Sequence, residues 1–451
     1  MELAAGRNDT WLLVPQRTPV PGWCVRPGTF RVSRPYDRQL DDSAESSKRV
    51  LKKRRVGTQP SLEGNDVNKA EQDIVAWIKA EWQELLGQED VTPQLQSMAH
   101  DYFYGTCADA PACEDVALDL VKLQPMLKML RSGFHGTSAS TDINENDTPF
   151  EMLQLSLPSE QDKSLSLDFG NMYETLVTNT SSDPMVVSLT SDGSPLYLIP
   201  PRSGFVVSDF SQIHRLKGIA QKHSGFDMVV MDPPWQNASV DRMSHYGTMD
   251  LYDLFKIPIP QLLSKDGVVA VWITNRAKVK KVVIEKLFPA WGLTWVAHWF
   301  WLKVTTHGEP VLSLESRHRK PYEGILIGRR MPSNSTDTST STARLPETDN
   351  RSVSPLSVKK KLLVSVPSQH SRKPSIAQLL EKEFLPPSEE NNLSQDEGPR
   401  RLELFARNME EGFISWGNEP IRYQYCGRRP SSGKPDVQDG FLVPIPKAIV
   451  D

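Results

Sequence analysis

Phe226-Asp227-Met228-Val229-Val230-Met231-Asp232-Pro233-Pro234-Trp235 is the stretch that decides the fold. Its first half is a short apolar run with the length and composition of a strand buried on both faces. A proline pair then ends it. Neither proline can donate to a sheet ladder, and Pro233 biases Asp232 away from helical geometry, so Asp232 and Trp235 fall on the loop beyond the strand's carboxyl end. In open α/β sheets that edge is where ligands bind.

The loop suits attack by an exocyclic aromatic amine. Such a nitrogen is a poor nucleophile while its lone pair is delocalised into the ring. Acceptors that hold its N–H groups favour a more tetrahedral nitrogen. Asp232 supplies a carboxylate, the Pro233 or Pro234 carbonyl a fixed second acceptor, and the proline rings limit reorganisation as positive charge develops. Trp235 offers a flat face for a base. The competing view is a strand terminator with a core tryptophan.

D-P-P-W resembles the catalytic motif of the MT-A70 family of S-adenosylmethionine-dependent adenine-N6 methyltransferases. The neighbouring text agrees: V-S-D-F at Val207 to Phe210, Y-G-T-M at Tyr246 to Met249, W-I-T-N-R-A at Trp272 to Ala277, S-R-K-P at Ser371 to Pro374, E-L-F-A-R at Glu403 to Arg407 and W-G-N-E at Trp416 to Glu419. The resemblance covers roughly the C-terminal half. It implies a Rossmann-like α/β methyltransferase domain with a permuted motif order, in which the catalytic loop precedes the strand, Leu402 to Phe405, that meets the cofactor.

The resemblance also implies roles. Asp232, Pro233, Pro234 and Trp235 are the catalytic set. Ser208, Asp209, Phe210, Asp232, Lys373, Arg407, Asn408, Asn418 and Glu419 are the cofactor set, with Asp209 and Phe210 at the cofactor's adenine, Lys373 at its carboxylate, and Asn418 and Glu419 at its ribose. Tyr246 matches a position the family uses near the target base; with Trp235, Asn275 and Lys303, and with Arg317 and Arg319 of the basic cluster near the presumed active edge, it makes up the substrate candidates. S-adenosyl-L-methionine is the implied cofactor. RNA is the implied substrate, specifically 2′-O-methyladenosine in small nuclear RNA. DNA N6-adenine methylation and a non-catalytic RNA-binding scaffold are the alternatives.

Composition bounds the rest. At 451 residues the chain exceeds one domain of about 100 to 200 residues. A formal charge of −4 excludes a global basic field, so any nucleic-acid surface is local. The four cysteines (Cys24, Cys107, Cys113, Cys426) show no zinc spacing, and the nine histidines form no H-E-x-x-H pair, so no metal is expected. Nor is there a G-x-G-x-x-G or P-loop. No apolar run approaches the roughly 20 residues of a membrane span, and the first residues lack a signal or transit pattern. A soluble intracellular protein is expected.

In chain order, residues 1–65 read as mostly disordered, with 35 prolines in the chain and a mean hydropathy of −0.43. Inside lies Lys48-Arg49-Val50-Leu51-Lys52-Lys53-Arg54-Arg55, which suits nuclear import; a nuclear protein with a cytosolic or mitochondrial pool is expected. Residues 66–192 read as a helical accessory domain, with Ile74, Trp77, Ile78, Trp82, Leu85 and Leu86 on one stripe and a third helix near 114–133. Residues 193–451 read as the methyltransferase domain, its strands at 226–230, 267–273, 295–303, 321–328, 362–366 and 402–405. A Ser/Thr-rich disordered insertion is expected at 330–360. The chain is expected to act as a monomer.

Overall fold

A computed structural model describes residues 2–7, 10–14, 35, 62–100, 149–155, 165–166, 172–189, 196–222, 224–235, 249–316, 319–330, 358–367, 372–385 and 400–427. Its strands, in chain order, are β1 (Glu2–Arg7), β2 (Thr10–Val14), β3 (Glu151–Gln154), β4 (Leu165–Ser166), β5 (Thr175–Asn179), β6 (Met185–Ser188), β7 (Leu196–Ile199), β8 (Ser203–Val207), β9 (Phe226–Met231), β10 (Leu263–Ile273), β11 (Thr294–Lys303), β12 (Tyr322–Arg329), β13 (Lys359–Ser365), β14 (Arg401–Leu404), β15 (Phe413–Gly417) and β16 (Tyr425–Gly427). The helices used below are α1 (Leu62–Leu86), α2 (Val91–His100), α3 (Leu216–Lys222), α4 (Ala277–Val282) and α5 (Ala377–Phe384).

One sheet of 12 strands runs β1-β2-β13-β11-β12-β10-β9-β14-β15-β8-β5-β3. At its centre β10, β9, β14, β15 and β8 are mutually parallel. β12 runs antiparallel between β10 and β11. The central strands are apolar because both faces are covered. Val229 and Met231 join one core with Ile219 of α3 and Val282 of α4, whereas Met228 and Val230 join another with Leu379 and Leu380 of α5.

Register sets the site. Met231 pairs with Val271 and Leu404, and Leu404 with Trp416, so β9, β10, β14 and β15 finish close to level. After β9 the sheet is extended by β10 on one side; after β14 it is extended by β15 on the other. The strand order therefore reverses between β9 and β14, which makes a crevice at their carboxyl ends.

The domain expectations for the N-terminal half need correcting. Residues 2–7 and 10–14 form two strands, and β2 pairs parallel with β13 through Thr10, Trp11 and Leu12. A run of β-branched, aromatic and aliphatic residues gains enough burial against the sheet to order there. The described helices do not make a separate unit either: Ile78, Trp82 and Leu85 of α1 share a core with Leu12, Phe300, Leu302, Leu362 and Val364 of the sheet. Within residues 66–192, expected to form a helical domain, β3 to β6 are strands, and β7 follows at the start of the expected methyltransferase domain. The basic tract 48–55, the helix expected near 114–133 and residues 331–357 of the insertion lie outside the described residues.

Candidate functional site at the carboxyl edge

Asp232 follows directly on β9, and the turn beyond it is held twice. Trp235 N–H donates to the Pro233 carbonyl at 2.7 Å. The Trp235 indole Nε1 donates to the Trp272 carbonyl at the end of β10, 2.9 Å away. Composition and tertiary contacts thus fix the loop together, and the Pro233 oxygen keeps its second lone pair.

Four elements bring charge to this point. Because β12 is antiparallel, its start lies level with the end of β11, and Glu323 faces Trp301 across the ladder. Lys303 closes β11 and ion-pairs with Glu323, its Nζ 4.6 Å from the Trp301 ring centroid. Lys373 arrives on the segment between β13 and α5. Its Nζ lies 2.7 Å from Glu323 Oε2 and 3.2 Å from Asp232 Oδ2. The result is a chain, Lys303–Glu323–Lys373–Asp232.

The two acids in that chain titrate in opposite directions. Burial works against charge on Glu323, but Lys373 and Lys303 hold its carboxyl down at about 2. Asp232 has only a share in Lys373, and Glu323 repels it, so burial pushes its carboxyl above the usual range. Burial also disfavours the Lys373 ammonium, yet Asp232 and Glu323 raise it.

Across the crevice, the loop after β14 begins with Phe405 at φ 60°, a left-handed conformation rarely adopted by a bulky residue. The turn occupies the place where a glycine-rich loop would sit. Beside it Gly417 is required to lack a side chain, since a Cβ would lie 3.0 Å from Ala406 N. Phe405 stacks on Phe210 with centroids 6.1 Å apart, and both rings meet the edge of Trp416. The indole Nε1 of Trp416 is buried and has no hydrogen-bond partner among the described residues.

The cleft between the loops is lined by Asp232, Trp272, Arg372, Lys373, Glu403, Phe405, Arg407, Asn408, Glu410 and Tyr423, among others. Burial, with the charges of Glu410 and Asp232, pushes Glu403 well above the usual range. Burial raises Glu410 too, although Ser375 donates to it at 2.5 Å. Arg372 donates to Asn408 Oδ1 at 3.1 Å and lies 5.3 Å from the Tyr423 ring centroid.

The structure brings Asp232, Lys373, Arg407 and Asn408 into one cleft, with Phe210 against its Phe405 wall. Other candidates have internal duties. Asp209 caps the 3-10 turn Phe210–Arg215: its Oδ1 accepts Ser211 N–H at 2.8 Å, and Tyr173 donates to its Oδ2 at 3.4 Å. Ser208 is fully buried, its N–H bonded to the Gly417 carbonyl. Glu419 is buried and takes Arg422 Nη1 at 2.9 and 3.0 Å, with Arg407 Nε at 3.7 Å, whereas Asn418 is exposed. Asn275 donates to the Tyr322 carbonyl at 2.8 Å, and Arg319 is an exposed loop residue. Tyr246 and Arg317 lie outside the described residues.

Sequence reasoning gave no role to Glu323, Glu403, Glu410, Arg372 or Tyr423. A signal existed for the first two: each is a lone acid inside an otherwise apolar strand, an arrangement that needs a partner or a function. The others are brought in by loops whose paths no local pattern sets.

Comparison with known proteins agrees with this geometry. The MT-A70 family model matches residues 226–419, from the first residue of β9 to Glu419. The human N(6)-adenine-specific methyltransferase METTL4 is 36% identical over 286 residues, covering 62% of this chain and 53% of that protein. The N6-methyladenosine RNA methyltransferase MTA1 of Pyricularia oryzae is 34% identical over 237 residues, covering 51% and 55%. The DNA N6-methyl methyltransferase of Caenorhabditis elegans is 32% identical over 271 residues, covering 59% and 64%. The chain thus spans between about half and two thirds of the length of these relatives.

Proposed function

Since residues 226–419 belong to the MT-A70 family, we propose that the chain transfers a methyl group from S-adenosylmethionine to N6 of adenine in a nucleic acid. The observation that carries this reading is Asp232: a carboxylate fixed beyond a proline-stiffened strand end, at the crevice where the sheet order reverses, with one lysine shared and lone pairs open to the cleft.

The cleft suits a cofactor that bears a sulfonium, an ammonium and a carboxylate. Glu403, Glu410 and Asp232 offer carboxyl groups, Lys373, Arg372 and Arg407 offer cations, and the Trp416 indole N–H, without a partner among the described residues, lies beside the Phe210–Phe405 wall. The bound cofactor supplies an electrophilic methyl group. The protein's residues do the rest. Asp232 and the Pro233 carbonyl accept the two amine hydrogens and turn the nitrogen lone pair out of the ring plane. Trp235 stacks on the base. On taking the methyl group that a bound cofactor would supply, the nitrogen would become cationic, and Asp232 would stabilise that charge before the extra proton leaves to solvent. Lys373 holds Asp232 in place, anchored in turn by Glu323 and Lys303.

The motif order is the permuted one: β9, with the catalytic turn, precedes β14, whose loop faces the cofactor. We assign the substrate as RNA, with 2′-O-methyladenosine of small nuclear RNA preferred. The chain acts as a monomer in the nucleus, and tract 48–55 serves import. Matched RNA and DNA oligonucleotides, with and without 2′-O-methyladenosine, decide the substrate when incubated with the cofactor and analysed by nucleoside mass spectrometry. N6,2′-O-dimethyladenosine should form fastest. Faster DNA methylation would overturn the RNA assignment, and no cofactor-dependent product on any strand would overturn the activity.

A further inference from the structure

On the sheet face opposite α5, β11 marks a seam between two helical covers. Leu326, the cross-strand partner of His298, packs in the core beneath α4, while Phe300 and Leu302 pack beneath α1. His298 sits between them, only 6% exposed. Its ring lies 4.1 Å from that of Phe300, and Gly324 on β12 leaves room for it, since a Cβ there would lie 3.0 Å from His298 Nε2. No hydrogen bond to its ring nitrogens is present among the described residues.

Two lysines flank it. Lys280 comes from α4 and Lys360 from β13, and Lys360 Nζ lies 5.9 Å from the Trp77 ring of α1. Neither is in an ion pair among the described residues. Burial and the charges of both lysines push the His298 imidazole well below its ordinary value, and burial with Lys360 pulls Lys280 down. Two ammonium groups, Lys280 half-buried and Lys360 exposed, therefore flank a neutral, desolvated imidazole, and neither pairs with a carboxylate among the described residues. Uncompensated like charge in a partly buried place is costly, and an incoming anion relieves it.

We propose that this seam is a second nucleic-acid contact, in which Lys280 and Lys360 hold phosphodiester oxygens, His298 donates its ring N–H to the same group, and Trp77 flanks the adjoining sugar or base. Lysine is a point-charge phosphate ligand, and an aromatic ring beside a basic track is how proteins grip strands without reading sequence. The seam is connected to the proposed active edge: α4 starts just past the end of β10, with Asn275 and Arg276 exposed there and Lys280 one turn further along. A strand with its adenine at Asp232 has this route away from the site. The inference rests on the proposed function for the identity of the anion.

The test uses the full chain and fluorescent single-stranded RNA of two lengths, roughly 6 and roughly 24 nucleotides, each with one target adenine. In anisotropy titrations the longer strand should bind more tightly. Lys280→Glu with Lys360→Glu should weaken the long strand by about tenfold and reduce its salt slope by about 2, leaving the short strand's affinity and its methylation at saturation unchanged. Trp77→Ala should cost the long strand a few-fold. Unchanged long-strand affinity in the double variant overturns the proposal, as does equal loss on both lengths. Competition by polyglutamate or by inorganic phosphate as effective as the long strand also overturns it, marking a general anion site. Failure of the methyltransferase reading is seen separately, as absent methylation of either strand by the unaltered chain while length-dependent binding persists.

Discussion

Asp227 and Asp232 stand at the two ends of β9, and one strand holds them in opposite electrostatic states. Asp227, at the amino end, receives Arg400 Nε on Oδ2 at 2.6 Å, Arg400 Nη2 on Oδ1 at 2.8 Å and Ser264 Oγ on Oδ1 at 2.7 Å. Burial works against its charge, but these donors hold its carboxyl below the usual range. Asp232, at the carboxyl end, shares a lysine that lies nearer to Glu323, and burial pushes its carboxyl up. A carboxylate whose lone pairs are filled by the protein fastens β9 to β14 and β10. One whose lone pairs face a cleft is available to an incoming N–H.

The largest expected effect breaks the second half of that contrast. Asp232→Ala should lower turnover by about 10³-fold, the scale found when a preorganised partner of developing charge is removed. Its melting temperature should match or exceed that of the unaltered chain, because a buried acid with a raised pKa is removed. A drop in melting temperature, with residual turnover that tracks the folded fraction, would make Asp232 structural. Asp227→Ala should do the reverse. Loss of a bidentate arginine pair and a hydroxyl bond, both part-exposed, should cost roughly 2 kcal/mol in denaturant unfolding. Turnover per folded molecule should stay within a few-fold.

Titration sharpens the comparison. Turnover needs ionised Asp232, so the acid limb of kcat against pH should lie above the ordinary carboxylate range. Lys373→Met removes the charge that lowers Asp232 and should move that limb higher. Asp227 has the opposite sign in stability. Its folded pKa lies below the ordinary aspartate value, so its stabilisation is present above that ordinary value and lost as pH falls through the folded one. Thermal melts of Asp227→Ala should accordingly show a flatter dependence at the acid end. An acid limb that Lys373→Met leaves in place would show the lysine acting elsewhere.

The same contrast marks what could be read without the structure. The turn after β9 is rigid through its own prolines, and both its fold and its cleft-facing carboxylate were legible in M-D-P-P-W. The strands β9 to β12 were legible for a similar reason, each carrying an apolar run stopped by polar residues, whereas β13 begins three residues before the expected 362–366, with Lys359, Lys360 and Lys361. The loop after β14 is rigid through Phe405 stacking and the missing Cβ of Gly417, which no local pattern announces. Asp209 and Glu419 have residue types that suit a cofactor pocket, but their oxygens are engaged by Ser211, Arg422 and Arg407. Residue type gives capability, and only the fold says whether a lone pair is already taken. β2 was missed because its burial depends on β13, hundreds of residues away.

Glu403 gives the smallest and most discriminating change. It sits on β14 between the cleft acids, with its carboxyl raised well above the usual range by burial, Glu410 and Asp232. Between its ordinary pKa and the raised one, the folded state keeps a proton that the unfolded state has released, so stability falls as pH rises through that window. Glu403→Gln keeps the shape of the neutral acid and removes the dependence. Its melting temperature should rise by about 3 °C at the alkaline end of the window and be unchanged at the acid end. A cationic cofactor in the cleft would reward the charge that the empty fold penalises. The same variant should therefore bind S-adenosylmethionine less tightly by calorimetry while melting later. Gains in both would show that Glu403 faces no cation and that its burial serves packing alone.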